Sequence, residues 1–222
     1  MSDFRIKTMV LGMVGTCCYI VYHEKTREAV IIDPADAADY IAGQCRTLDV
    51  KPAAVLLTHG HFDHILAAPE LKQEFGIPVY AYEKEAGMLA DPSLSLTEGF
   101  SRNPVTVKPD VLLRDGEEFT LAGFTWKTIA TPGHTSGSAC YYVEAQDVLV
   151  SGDTLFRDSY GRTDLPTGSA MELARSIHRR LFVLPDDTMV YPGDVYKRQG
   201  YGRGAGEKRR GHQGNLVRTE VL

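Results

Sequence analysis

Cysteine is scarce in this chain of 222 residues, and the four present are not spaced to staple it. Cys17 and Cys18 are adjacent, while Cys45 and Cys140 stand alone, so neither a disulfide framework nor a zinc ribbon is expected. That usage points to a reducing cytosol. No run of apolar residues approaches the length of a membrane span. The opening residues Met1-Ser2-Asp3-Phe4-Arg5 carry no apolar signal region, so a secreted form would need a leader beyond them. Basic charge is not in excess either: 24 Lys and Arg against 29 Asp and Glu give a net charge of −5, which disfavours nucleic acid as a partner. Nor is there a convincing internal repeat. What remains is an ordinary globular composition, 43% hydrophobic and 24% charged, long enough for one sizeable core or at most two small domains.

Against this plain background residues 58–64 stand out: Thr58-His59-Gly60-His61-Phe62-Asp63-His64. Imidazole and carboxylate groups are poor core material, so packing does not call for such a cluster. Metal binding does, because these are the nitrogen and oxygen ligands of zinc and its first-row neighbours. The alternative is three unrelated surface histidines, which this density disfavours. The cluster follows the apolar run Ala53-Ala54-Val55-Leu56-Leu57, and so sits where a buried strand ends.

Hydrophobic periodicity predicts strands at 4–10, 17–23, 29–33, 55–57, 79–82, 111–113, 118–121, 124–130, 139–143, 148–151 and 189–191. It predicts helices at 35–48, 63–75, 83–90 and 169–181, with Ala38, Ile41, Ala42 and Cys45 on one face of the first. Residues 91–109, with three prolines, read as a loop. Strand clusters broken by helices suggest two sheets with helices outside them. From 195 the chain holds seven Lys and Arg against two Glu, with recurrent glycine and sparse apolar residues, and reads as disordered. The expected division is one domain over 1–193 and an atypical tail over 194–222.

Three more strand ends carry a tight turn and a candidate ligand. They are Thr131-Pro132-Gly133-His134-Thr135, Ser151-Gly152-Asp153-Thr154-Leu155-Phe156, and Tyr191-Pro192-Gly193. With the 58–64 cluster they favour a metal site. Taken together these motifs resemble those of the metallo-β-lactamase superfamily. Gly152-Asp153-Thr154-Leu155-Phe156 and Gly161-Arg162-Thr163-Asp164 are similar to the short glyoxalase II-type, hydroxyacylglutathione hydrolase-like members. The resemblance covers about residues 8–193 and implies an α/β fold of αββα sandwich type.

It further implies a role for each matching residue. His59, His61 and His134 would hold one metal, Asp63 and His64 a second, and Asp153 would bridge them. Two divalent ions are implied, zinc first, with iron or manganese as alternatives. Hydroxide between the metals would attack the carbonyl of a small-molecule thioester such as S-lactoylglutathione, with Asp63 and Asp153 as the catalytic carboxylates. Asp33 matches a family residue near the site, either as support or as a simple turn Asp. Arg162 matches a position that binds a substrate carboxylate, the alternative being a structural pair with Asp164. Tyr160 would line the pocket. His23 and His178 lie outside the motifs and read as ordinary surface residues.

The resemblance breaks at the end. The family has Tyr-Pro-Gly-His where this chain has Tyr191-Pro192-Gly193-Asp194, so Asp194 stands in the place of a metal-binding His. Either Asp194 is a natural exchange that ligates through oxygen, or Asp194-Val195-Tyr196-Lys197-Arg198-Gln199, which resembles translated adapter sequence, begins an artefact. The competing functions are an iron-dependent persulfide dioxygenase, using only His59, His134 and Asp153, and a metal-binding protein with an impaired second site.

Overall fold

Alternation along the central strands decides the layering. In β2 (Thr16–His23) Cys17, Tyr19 and Val21 face one hydrophobic cluster, while Cys18 and Ile20 face another. In β3 (Glu28–Ile32) and β4 (Lys51–Leu57), Val30, Ile32, Ala54 and Leu56 join the first cluster, and Ala29, Ile31, Val55 and Leu57 the second. A sheet that is apolar on both faces must be covered on both.

The computed structural model, which describes residues 2–194, covers them with four layers. The first sheet has six strands in the order β1-β2-β3-β4-β5-β6, with β1 at Phe4–Leu11, β5 at Val79–Tyr82 and β6 at Val111–Leu113. Its strands from β3 to β6 run parallel, while β1, β2 and β3 pair antiparallel. The second sheet comprises β7 (Glu118–Leu121), β8 (Phe124–Ala130), β9 (Ala139–Val143), β10 (Val148–Gly152) and β11 (Met189–Pro192), in the order β11-β10-β9-β8-β7. The inner faces of the two sheets share one core, which includes the fully buried Trp126 and Tyr141. Helices α1 (Ala38–Thr47) and α3 (Ala68–Phe75) cover the outside of the first sheet through Ile41, Cys45 and Leu71. Helix α6 (Ala170–Ser176) covers the second through Leu173. This is the αββα sandwich that the sequence leads one to expect.

The helices depart from expectation in detail. The segment 63–75 is two helices, α2 (Phe62–Ile65) and α3, because Pro69 has no amide to donate and fits only the first turn of a new helix. The first helix starts at Ala38, after left-handed Ala37, rather than at 35. The segment 83–90 is a 3₁₀ turn, Glu83–Glu85, running into α4 (Ala86–Leu89). The expected loop at 91–109 contains one helical turn, α5 (Thr97–Phe100). The last helix relaxes into a π turn over Ile177–Leu181. The disordered reading of 195–222 lies outside the described residues, but Asp194, placed with the tail, is buried and bridges Thr16. His23 is not an ordinary surface residue: its ring stacks on Phe124 at 5.4 Å and its Nδ1 accepts the Lys25 and Thr26 amides. His178 is exposed.

Helix α6 is docked on the turn that carries His134. The Gly133 carbonyl accepts the Ser169 amide at 2.8 Å, and the Ser176 hydroxyl donates to the Pro132 carbonyl at 2.8 Å. Gly133 has φ of 140°, and a Cβ there would lie 2.2 Å from the Leu173 nitrogen. Gly133→Ala should therefore lower stability in urea unfolding by about 2–3 kcal/mol, through backbone strain and displacement of α6. Gly43→Ala, inside α1 with nothing within 4 Å of the added carbon, should raise stability by about 0.5–1 kcal/mol. Equal effects at the two positions would show that the α6 contact carries no special constraint.

Candidate metal centre

The candidate ligands come from ends of strands in both sheets that meet at one edge of the sandwich. β4 delivers His59, His61, Asp63 and His64; the β8–β9 loop delivers His134; β10 ends at Asp153. All six are 9% exposed or less. Hydrogen bonds close the two sheets together here: the Ala139 amide donates to the Thr58 carbonyl at 3.0 Å and the Tyr141 hydroxyl to the Leu57 carbonyl at 2.7 Å. A Cβ on Gly152 would lie 2.4 Å from Thr58 Oγ1, so only glycine allows this approach.

Two groupings result. Ligand atoms of His59, His61 and His134 all lie within 4.8 Å of one another. His61 Nδ1 and His134 Nε2 are 2.9 Å apart, near the ~3.3 Å edge expected of a tetrahedron with metal–nitrogen bonds of ~2.0–2.1 Å. Asp153 stands between this set and the next, with Oδ2 at 3.6 Å from His134 Nε2 and Oδ1 at 3.4 Å from His64 Nε2. His64 Nε2 also faces Asp63 Oδ2 at 3.8 Å. Asp33, His59 and His64 form a second close group of three. Asp33, however, is committed on the far side: its oxygens take the Thr58 amide at 2.8 Å, the Thr58 hydroxyl at 2.6 Å and His64 Nδ1 at 2.9 Å.

These outer bonds fix which nitrogen each ring presents. The Thr58 hydroxyl donates to Asp33, so its oxygen is left to accept from His59 Nδ1 at 3.1 Å. His59 Nε2 is then a bare acceptor, and it has no hydrogen-bond partner among the described residues. The Arg162 carbonyl accepts from His134 Nδ1 at 2.7 Å, which turns Nε2 inward. Rings held this way by carbonyls and carboxylates behind them are the usual support of metal-binding imidazoles. A buried lone pair aimed at two further ring nitrogens fits a cation.

The charges agree. Burial, followed by the neighbouring imidazoles of His64, His134 and His61, holds His59 well below the ordinary histidine range. For His64, burial opposes protonation, but the carboxylates of Asp63, Asp33 and Asp153 outweigh it and raise the ring's affinity for a proton, the same negative field that would draw a metal cation. For Asp153, burial opposes ionisation, and the surrounding imidazoles of His64, His134 and His59 overcome it.

The remaining sequence-predicted residues are less direct. The guanidinium of Arg162 is closed on Asp164 by two bonds of 2.7 Å, the structural pairing named as the alternative, and it is the Arg162 carbonyl that reaches the centre. Tyr160 is half-exposed and bridges Leu155 through its backbone. Gly193 lies against the centre, since a Cβ there would meet Asp153 Oδ1 at 2.3 Å and His64 Cε1 at 2.7 Å. That contact puts Asp194 next to the site. Two residues escaped the sequence reading. Thr16 donates its hydroxyl to Asp63 Oδ2 at 2.8 Å. Glu85, 1% exposed, accepts the Gly60 amide at 2.7 Å and the Thr135 hydroxyl at 3.0 Å.

Comparison with known proteins bears on this arrangement. A model of the metallo-beta-lactamase superfamily matches residues 12–194. A probable metallo-hydrolase of Bacillus subtilis is 37% identical over 188 residues, which span 84% of this chain and 88% of that protein. Hydroxyacylglutathione hydrolase GloC of Haemophilus influenzae is 33% identical over 178 residues, 79% of this chain and 84% of that protein. Among solved structures, the BLEG-1 B3 metallo-beta-lactamase matches with a TM-score of 0.80 and 40% identity, covering 85% of this chain and 91% of that one. ETHE1 from Myxococcus xanthus matches with a TM-score of 0.70 and 32% identity, covering 88% and 77%.

Burial pushes the Glu85 carboxyl up to about 7, against the hydrogen bonds from Gly60, Thr135 and Gly137, which favour its ionised form. The folded chain thus holds this proton more tightly than the unfolded chain does. The stability so gained is complete below the unfolded value near 4.5 and is lost as pH rises through about 7. Measured on chelator-treated protein, wild type should lose stability relative to Glu85→Gln between those pH values, with no further change above. A difference that does not vary with pH would contradict the shift.

Proposed function

This chain belongs to the metallo-β-lactamase superfamily, and on that premise we propose that it is a dinuclear metal-dependent hydrolase of a thioester of the S-lactoylglutathione type. The observation that carries the reading is the position of Asp153. Its two oxygens face different imidazoles, His134 on one side and His64 on the other, as one carboxylate shared between two sites would require. His59, His61 and His134 would form the first set of ligands, and Asp63, His64 and Asp153 the second, with Asp194 at its edge. Ions bound there supply Lewis acidity and lower the pKa of coordinated water toward ~7. Zinc suits the three-imidazole set, and iron or manganese the carboxylate-richer one.

The chain's own residues do the rest. Thr58 and Asp33 orient His59 and His64, the Arg162 carbonyl orients His134, and the Thr16 hydroxyl holds Asp63 by Oδ2, the oxygen that faces His64 Nε2. Arg162 would exchange Asp164 for a carboxylate of the substrate, by the same two-pronged geometry, with Tyr160 beside it. The glyoxalase-like segments at 152–156 and 161–164, and the likeness to a hydroxyacylglutathione hydrolase, support the thioester class. The likeness to ETHE1 keeps the dioxygenase as the rival. The proposed compartment is the cytosol, in keeping with four buried free thiols.

Asp153→Asn should lose metal and thioester hydrolysis together, by more than the ~10–100-fold that changes in outer support produce. His178→Ala, on an exposed site away from the centre, should alter neither. A fully metallated and active Asp153→Asn enzyme would remove Asp153 from its role. Oxygen uptake on a persulfide with no thioester turnover would transfer the assignment to the dioxygenase. Asp194→His should tighten the more weakly held ion, seen as slower loss to a chelator. Unchanged release would place residue 194 outside the second set.

A further inference from the structure

Glu85 is a buried acid that the reaction as drawn does not use. It ends the 3₁₀ turn after β5, and so comes from a third element, neither the β4 loop nor the β8–β9 loop. Its carboxylate joins those two. Oε1 accepts the amide of Gly60, the residue between His59 and His61, at 2.7 Å. The Thr135 hydroxyl, next to His134, lies 3.0 Å from Oε1 and 3.1 Å from Oε2. The Gly137 amide also donates to the carboxylate. Thr135 is itself tied to Ser138, hydroxyl to hydroxyl at 2.7 Å, and its amide donates to the Ser138 hydroxyl at 3.1 Å.

Glycine is needed at Gly137, and Gly60 is tightly packed. A Cβ on Gly137 would stand 2.4 Å from the Glu85 nitrogen and 2.4 Å from its Oε2. One on Gly60 would meet Met88 Cγ at 3.0 Å and Glu85 Oε1 at 3.3 Å. The two imidazole-bearing loops belong to different sheets, and each is pressed onto this one acid. A carboxylate can take these three donors, whereas an amide or an alkyl group cannot.

We propose that Glu85 is a positioning residue that clasps the His59–His61 turn to the His134 turn, fixing the separation of His61 and His134 and so the affinity of the first metal set. This rests on the metal-centre reading above. Gln in its place can accept from Gly60 and Thr135 through its oxygen, but its NH₂ meets the Gly137 amide donor to donor. Ala supplies no acceptor at all.

The test is a zinc titration of the full chain against a chromogenic chelator, for wild type, Glu85→Gln and Glu85→Ala. The first-set step is identified from His64→Ala, which lacks the second set. Glu85→Ala should weaken the first step by ~10–100-fold and Glu85→Gln by a smaller factor, with the second step nearly unmoved. First-set affinity unchanged in Glu85→Gln and Glu85→Ala, or both steps weakened alike, would overturn the proposal. If Glu85→Ala does not fold, Glu85→Gln decides. If wild type binds no zinc, the metal-centre reading fails, and hydrogen exchange on the metal-free chain judges the clasp alone. The Gly137 amide should then exchange at least ~10-fold faster in Glu85→Gln than in wild type, while the amides of β4 stay protected. Equal protection of Gly137 in both proteins would overturn the clasp.

Discussion

Six imidazole and carboxylate side chains buried at one edge of the sandwich set the terms for everything around them. Any one of them alone would be costly to take out of water. Together they are tolerable because imidazole and carboxylate alternate: His134, Asp153, His64 and Asp63 succeed one another at 3.4–3.8 Å. The arrangement holds only if the rings cannot turn, since a rotated imidazole would offer a donor where an acceptor is required. That is why His59, His64 and His134 each have a partner behind the ring, and why those partners are the buried Thr58 hydroxyl, the Asp33 carboxylate and the Arg162 backbone carbonyl rather than mobile surface groups.

The sheets supply the rigidity on which this depends. Four of the cross-sheet bonds lie at the level of the site: Ala139 to Thr58, Tyr141 to Leu57, Cys17 to Gly193, and Tyr19 to Pro192. Each ties a strand of one sheet to the other within a residue or two of a candidate ligand. The ligands therefore sit on short extensions of strands rather than on free loops, and the interdigitated core beneath them transmits little slack.

Two sheets with helices outside were legible in the sequence because clusters of strands are broken by helices, and β2, β3 and β4 are near-continuous apolar runs, as strands buried on both faces are. The first half of the site was legible because His59, His61, Asp63 and His64 are neighbours in the chain. His134 and Asp153 could be added only because each follows a strand and a glycine turn. What could not be read was support from a distance. Glu85 lies in Glu83-Lys84-Glu85, which looks like a solvated turn, and nothing local shows that its carboxylate points inward to Gly60. Thr16 is equally silent, since its tie to Asp63 spans 47 residues. Helix ends were misplaced where a backbone feature overrode periodicity, as at Pro69 and Ala37. Arg162 shows the limit of a motif: the position is near the centre, but its carbonyl touches the ligand and its side chain turns to Asp164.

The last strand adds one more constraint. Pro192, Gly193 and Asp194 run along β2, with the Cys17 amide bonded to the Gly193 carbonyl at 2.8 Å and Asp194 bridged to Thr16. Thr16 is also the residue whose hydroxyl holds Asp63. The backbone that brings residue 194 to the second ligand set is thus the same backbone that positions Asp63, and it is kept in this chain up to that residue. Against the family's His, an Asp at 194 would therefore differ in side-chain reach and charge, not in placement. A carboxylate is shorter than an imidazole and adds a negative charge to a set that already contains Asp63 and Asp153. A second cation would offset that charge, and a shorter arm would hold the cation less firmly unless the turn at Gly193 moved toward it. Space at Gly193 is short, because a Cβ built there would already stand 2.3 Å from Asp153 Oδ1 and 2.7 Å from His64 Cε1.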